Sequence, residues 1–126
     1  MFTLHNVMKL NALSCITFGT LFLAIPSKVT EFLSHDSQAP TNLLMILGAG
    51  LILNGLHIYW AARQTSPKQS LVRYFSTGDF LWVAGSAALL LTGTWITNTA
   101  GIISTLIVGA IVGLFGVLQW LKSQSI

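Results

Sequence analysis

Four apolar runs, each close to the thickness of a bilayer, leave this chain very few folds. They cover residues 4–25 (interrupted by Lys9), 42–62, 72–95 and 98–121. A helix of roughly 20 residues crosses a hydrocarbon core about 30 Å thick. In lipid every backbone N–H and C=O needs an internal partner, so helices and closed barrels are the spanning solutions. Barrel strands alternate in and out over about 10 residues, and these runs are longer and continuous. The sequence therefore predicts an all-α fold: one four-transmembrane-helix bundle, up-down-up-down, as a single domain over residues 1–126. Composition agrees. The chain is 53% hydrophobic and 7% charged, whereas a soluble domain carries about 25% charged residues. So much apolar surface cannot be hidden in one core of this size, and the surplus is expected to face lipid.

The first run ends in "FLAIPSK", which lacks a small-x-small cleavage site and places Pro26 at the junction. It is expected to be retained as a helix, not removed as a signal peptide. Lys9, Arg63, Lys68, Arg73 and Lys122 fall on the side holding both termini, and Lys28 alone falls opposite, with Glu31 and Asp36. The positive-inside rule then predicts cytoplasmic termini, and an inner-membrane location if the cell is bacterial. In the longer outer connection, Val29, Phe32 and Leu33 recur at helical spacing. They predict a short amphipathic helix over 28–34 lying at the interface. Trp60, Trp95 and Trp120 sit at segment ends, where indole rings favour the interface, but Trp82 lies deeper.

The net charge is +3 and the basic residues are scattered, so no nucleic-acid partner is expected. Cys15 is the one cysteine, which excludes an intrachain disulfide and a cysteine-based metal site; on a membrane helix with no paired thiol it reads as a small hydrophobe. No metal site, cofactor or catalytic residue is predicted. There is no nucleophile–base pair at recognisable spacing and no phosphate-binding glycine loop. A bis-histidine haem through His5 and His57 is disfavoured because the two differ in depth.

Small residues carry helix contacts in lipid. Helix four has glycines at 101, 109 and 113, helix two at 48, 50 and 55, and helix three at 78 and 85. Gly109, Gly113, Gly85 and Gly50 are expected to serve packing within the bundle. The Gly109–Gly113 face offers a second use, a homodimer or a seat in a larger membrane complex, and spacing alone does not separate the two.

The intramembrane polar residues are unevenly placed. Asp79 and His57 each lie about 8 Å inside the cytoplasmic surface at 1.5 Å per residue. Asn54 and Trp82 share their faces one turn deeper. Asn11 and Gln119 bring polar groups from helices one and four to the same half. A carboxyl group in hydrocarbon costs several kcal/mol, so Asp79 should face inward and find a partner. His57 is the expected partner, with Asn11 and Gln119 adding hydrogen bonds. Such a cluster is either a clasp that fixes helix register or a proton-sensitive or ligand-binding pocket.

An Asn early in helix one, a following Pro, "LGAGLILNG" in helix two and "GDFLWVAGS" in helix three resemble small uncharacterised bacterial four-helix inner-membrane proteins. The layout is also similar to the DoxX-like group, some of which accompany oxidoreductases. That resemblance implies a membrane subunit and carries over no catalytic residue. The small multidrug-resistance transporters match in size, but they use a glutamate in helix one, and helix one here has no acid. Three functions are thus expected, in this order: a non-enzymatic accessory or interaction subunit; a small proton-coupled transporter or ligand-binding protein using Asp79 and His57; and a membrane subunit of an oxidoreductase.

Overall fold

A computed structural model describes residues 3–124, all helix and connecting segments. The elements are α1 (Leu4–Ala24), α2 (Pro26–Leu33), α3 (Thr41–Ala62), α4 (Gln69–Thr92) and α5 (Thr99–Ser123). α1, α3, α4 and α5 are each long and apolar enough to cross a membrane. Their outward faces are apolar: Leu91 is 88% exposed, Ile46 69% and Leu53 68%. The chain is an all-α bundle, as its apolar runs require.

The two largest boundary differences from the sequence reading, both in α4, have local reasons. α4 stops at Thr92 and not at 95, because Gly93 turns left-handed at φ 65. The N–H of Gly93 then meets the Leu90 carbonyl and that of Thr94 meets the Leu89 carbonyl, which closes the helix in the way glycine C-caps do. At the other end α4 starts at Gln69, because no breaker separates Pro67 from the apolar run. The predicted short helix is present as α2, starting two residues earlier than expected and ending one earlier, with Pro26 in its first turn, where a missing N–H costs nothing.

The bundle is two antiparallel hairpins. α1 packs most extensively on α3, and α4 on α5, while the α1–α5 contact is the main backbone link between the pairs. The start of α1, the end of α5 and the α3–α4 turn lie at one end, here the terminal end; α2 and the α4–α5 turn lie at the distal end. The terminal end is the better packed. Met8 and Ala12 of α1, Ile58 and Ala61 of α3, and Val72 and Phe75 of α4 form one buried cluster there.

Glycines set the closest approaches. A Cβ added to Gly48 would stand 2.7 Å from the Gly19 carbonyl oxygen, and one on Gly55 would stand 2.9 Å from that of Ala12. The α1–α3 contact is thus backbone against backbone, the arrangement small residues permit in lipid. Gly101 is similarly pressed on Leu33, and Gly116 on Phe80 and Asp79.

The expected packing set is corrected here. Gly50, Gly85 and Gly109 have nothing within 4 Å of a built Cβ, and Gly113 meets Val83 at an ordinary 3.6 Å. None of the four is needed for a contact inside the chain. The reason is rotational: Gly50 lies two residues past Gly48, about 200° round the helix, and so points away from α1.

Gly48→Val should therefore lower bundle stability by about 1–3 kcal/mol, the range for overpacked interiors. Gly50→Val, two positions on, should leave it unchanged or slightly raised. Denaturant or thermal unfolding in detergent, followed by circular dichroism, compares the two. Equal losses would contradict the packing described.

Candidate functional site

Asp79 lies on the buried face of α4, 5% exposed, and its carboxyl group is met by amides from two other helices. Asn11 of α1 donates from Nδ2 to Asp79 Oδ2 at 2.9 Å. Gln119 of α5 donates from Nε2 to the same oxygen at 3.0 Å. Asn11 Nδ2 also donates to Gln119 Oε1 at 3.1 Å, which closes a triangle. Asn11 and Gln119 are 1% and 0% exposed. Gly116 makes this possible, because a Cβ there would stand 3.2 Å from Asp79 Cβ and would hold α5 away.

The network continues through a residue that reads from the sequence as a small hydrophobe. Cys15 Sγ donates to Asn11 Oδ1 at 3.8 Å and accepts from Asn54 Nδ2 at 3.7 Å. Asn54, Cys15, Asn11, Asp79 and Gln119 therefore form one chain of contacts through α3, α1, α4 and α5. The signal for Cys15 was its spacing: it is one turn from Asn11 on the same face of α1.

Two expected members of the cluster stand elsewhere. His57 does not pair with Asp79. It is exposed on α3, with its ring edge-on to Phe75 at 5.0 Å and beside Trp60 and Tyr74. Gly55 is the α3 residue that faces α1, and His57, two residues later, is rotated about 200° from it. His57 thus meets α4 one turn away, at Phe75, and Asn11 of α1 takes the place given to it beside Asp79. Trp82 is on the Asp79 face but a turn deeper, where it stacks on Phe22 at 6.4 Å and leaves the triangle. His5 is occupied at the terminal end, where its Nδ1 lies 2.8 Å from the Ala62 carbonyl oxygen.

Ser76, one turn from Asp79 towards the terminal end, is fully buried. Its hydroxyl has no hydrogen-bond partner among the described residues. The other hydroxyls lining these helices mostly bond back along their own helix, as Thr77 does to Arg73.

The distal end has a second fastening, made largely by backbone. The N–H groups of Thr97 and Asn98 both donate to the Leu33 carbonyl. Asn98 Nδ2 donates to the carbonyls of Glu31 and Phe32, and the Ser34 and Thr97 hydroxyls pair at 2.6 Å. The final carbonyls of α2, which lack partners within so short a helix, are thereby satisfied by the α4–α5 turn. Between the two fastenings the hairpins diverge around an apolar cavity of about 950 Å³.

No family model, curated protein or solved structure matches the chain.

The triangle is chemically a clasp: an acceptor with two amide donors, enclosed on all sides. Asn11→Ala and Gln119→Ala should each cost about 1–3 kcal/mol, the range for losing a partner of a buried polar group. Because they share Asp79, the double variant should lose clearly less than the sum. Additive losses in a double-mutant cycle would mean that the triangle does not act as a unit, and His57→Ala should not couple to either. Ser76→Ala should raise stability by up to about 1 kcal/mol, since it removes an unpartnered buried hydroxyl; a loss on unfolding would show that the hydroxyl has a use.

Proposed function

We propose that this protein is a non-enzymatic integral membrane protein that works as an accessory or interaction subunit, docked through its helix faces to other membrane helices. The supporting observation is the division of its glycines. Gly19, Gly48, Gly55, Gly101 and Gly116 are consumed by close contacts within the chain, whereas Gly50, Gly78 and Gly109 have open space at the Cβ position. A glycine inside a helix gives up about 0.5–1 kcal/mol relative to alanine. In a lipid-facing position that loss is repaid by nothing in the bundle itself, and close approach by another helix supplies the return.

The closed state of the polar triangle favours this reading over a proton-coupled exchanger. Asp79 is held by two amides, and His57, the group expected to titrate with it, lies on a different face. The polar cluster serves register, and the partners lie outside. In this reading the protein sits in the inner membrane with cytoplasmic termini, and a membrane oxidoreductase is one class of partner suggested by the layout.

A photo-crosslinking residue placed at position 109 or 50 in native membranes should yield an adduct with a second, different membrane polypeptide. The same residue at Leu91 should label lipid. Gly109→Leu should abolish the protein adduct formed from a neighbouring position while leaving thermal stability unchanged. Self-adducts alone, or none, would reject the accessory role. Orientation has its own check in a Cys15→Ala background. Ser37→Cys should react with a membrane-impermeant maleimide in intact cells, and Ser66→Cys should react only after lysis.

A further inference from the structure

The cavity between the hairpins is unlike the rest of the bundle. At about 950 Å³ it stands at the upper end of the 300–1,000 Å³ typical of small-molecule sites. Its walls come from all five helices and are almost wholly apolar, with Phe22, Leu44, Leu47 and Trp82 among them. α2 lies across its distal mouth. Adjoining the mouth is a groove of about 670 Å³ that shares Lys28 and Phe32 with the cavity and adds Glu31, His35 and Asn98. The apolar cavity and the polar groove thus lie side by side, with Lys28 and Phe32 lining both.

The vestibule carries both signs of charge. Lys28 and Glu31 lie one turn apart on α2 and both line the groove. Neither side chain makes a hydrogen bond or ion pair with the described residues. Thr99 and Ala100, in the first turn of α5, also line it. That helix has no side-chain cap, because Asn98 is committed to the α2 carbonyls; the first-turn N–H groups therefore favour a negative group nearby.

Deeper down, two hydroxyls on the cavity wall are unusual for membrane helices. Thr17, Thr20, Thr92 and Thr105 all donate to the carbonyl four residues back. Ser86 and Ser104 line the cavity and bond to nothing among the described residues. Ser86 is about 9 Å below the distal end of α4 at 1.5 Å per residue. Donors at that depth suit ester oxygens, below a headgroup and above a hydrocarbon chain.

We propose that the cavity and the adjoining groove together form a binding site for one zwitterionic glycerophospholipid of the ethanolamine type. Its phosphate lies at Lys28, its ammonium at Glu31, its ester oxygens at the level of Ser86 and Ser104, and its chain in the cavity. The charge pattern selects this occupant over a purely anionic lipid, which would leave Glu31 facing like charge. The proposal is independent of which proteins dock on the outer helix faces.

Gly85 makes the test clean. It lines the cavity, and a Cβ there meets nothing within 4 Å, so Gly85→Leu fills the space without disturbing a contact. Purified protein, stripped of lipid in mild detergent, is titrated with dioleoyl phosphatidylethanolamine or dioleoyl phosphatidylglycerol and observed by native mass spectrometry. Circular dichroism and melting confirm that each variant is folded. The expected result is one retained lipid per chain, with the ethanolamine lipid preferred. Gly85→Leu should weaken retention of both lipids at least ten-fold, and Lys28→Glu should do the same. Glu31→Gln should abolish the preference, weakening retention of the ethanolamine lipid and raising that of phosphatidylglycerol, whose like charge it no longer opposes. No stoichiometric adduct, or retention unaffected by Gly85→Leu, overturns the site. A dimer free of lipid overturns it in favour of a protein occupant. Retention that responds to Gly85→Leu but not to Lys28→Glu or Glu31→Gln overturns the headgroup assignment.

Discussion

The bundle is organised by the need to satisfy one carboxyl group in a nonpolar surrounding. Asp79 sits in a helix that otherwise offers it hydrocarbon, and an unpartnered acid there costs several kcal/mol. Amides brought from α1 and α5 meet that demand at 2.9 and 3.0 Å. Because the donors belong to different helices, satisfying the acid also fixes where those helices stand. The first hairpin reaches the second through Asn11, and Gly116 lets α5 come close enough for Gln119 to take part. Without lipid–water contrast to press helices together, a directional constraint of this kind sets register in a way that apolar contacts alone do not.

The two ends of the molecule use different chemistry for the same purpose. At the terminal end the hairpins are joined by side-chain amides and a packed cluster that includes Met8, Ile58 and Phe75. At the distal end the joint is made from the loose carbonyls of a short helix, taken up by Asn98 and the N–H groups of the next turn. The first joint lies within the apolar span and must be closed. The second lies outside the four long apolar helices and can be built around groups that any short helix leaves unsatisfied.

Architecture was legible in the sequence because it follows from one-dimensional quantities. Span length and the helical spacing of Val29, Phe32 and Leu33 need no knowledge of neighbours, and they located four spans and α2 to within a few residues. The polar site was half legible. Asn11, Asp79 and Gln119 share a depth, and depth is a sum of rises along an axis. What the sequence withheld was azimuth between helices. His57 has the right depth and the wrong face, and that could be seen only once Gly55 was known to lie against α1. The glycines failed for the same reason: Gly48 and Gly50 are equivalent on paper and opposite in space. Cys15 was discounted on residue type, although its one-turn spacing from Asn11 held the clue.

The hairpins are hydrogen-bonded to each other at the two ends, and among the described residues no hydrogen bond joins them across the cavity. Its walls touch through apolar surfaces such as the Phe22–Trp82 stack. Dispersion contacts are individually small, on the order of 0.1–0.2 kcal/mol per atom pair, and they do not require a fixed direction. The width of the cavity is therefore the soft coordinate of the molecule. The walls can move apart or together while both joints stay intact, much as the staves of a hooped vessel bow between its bands.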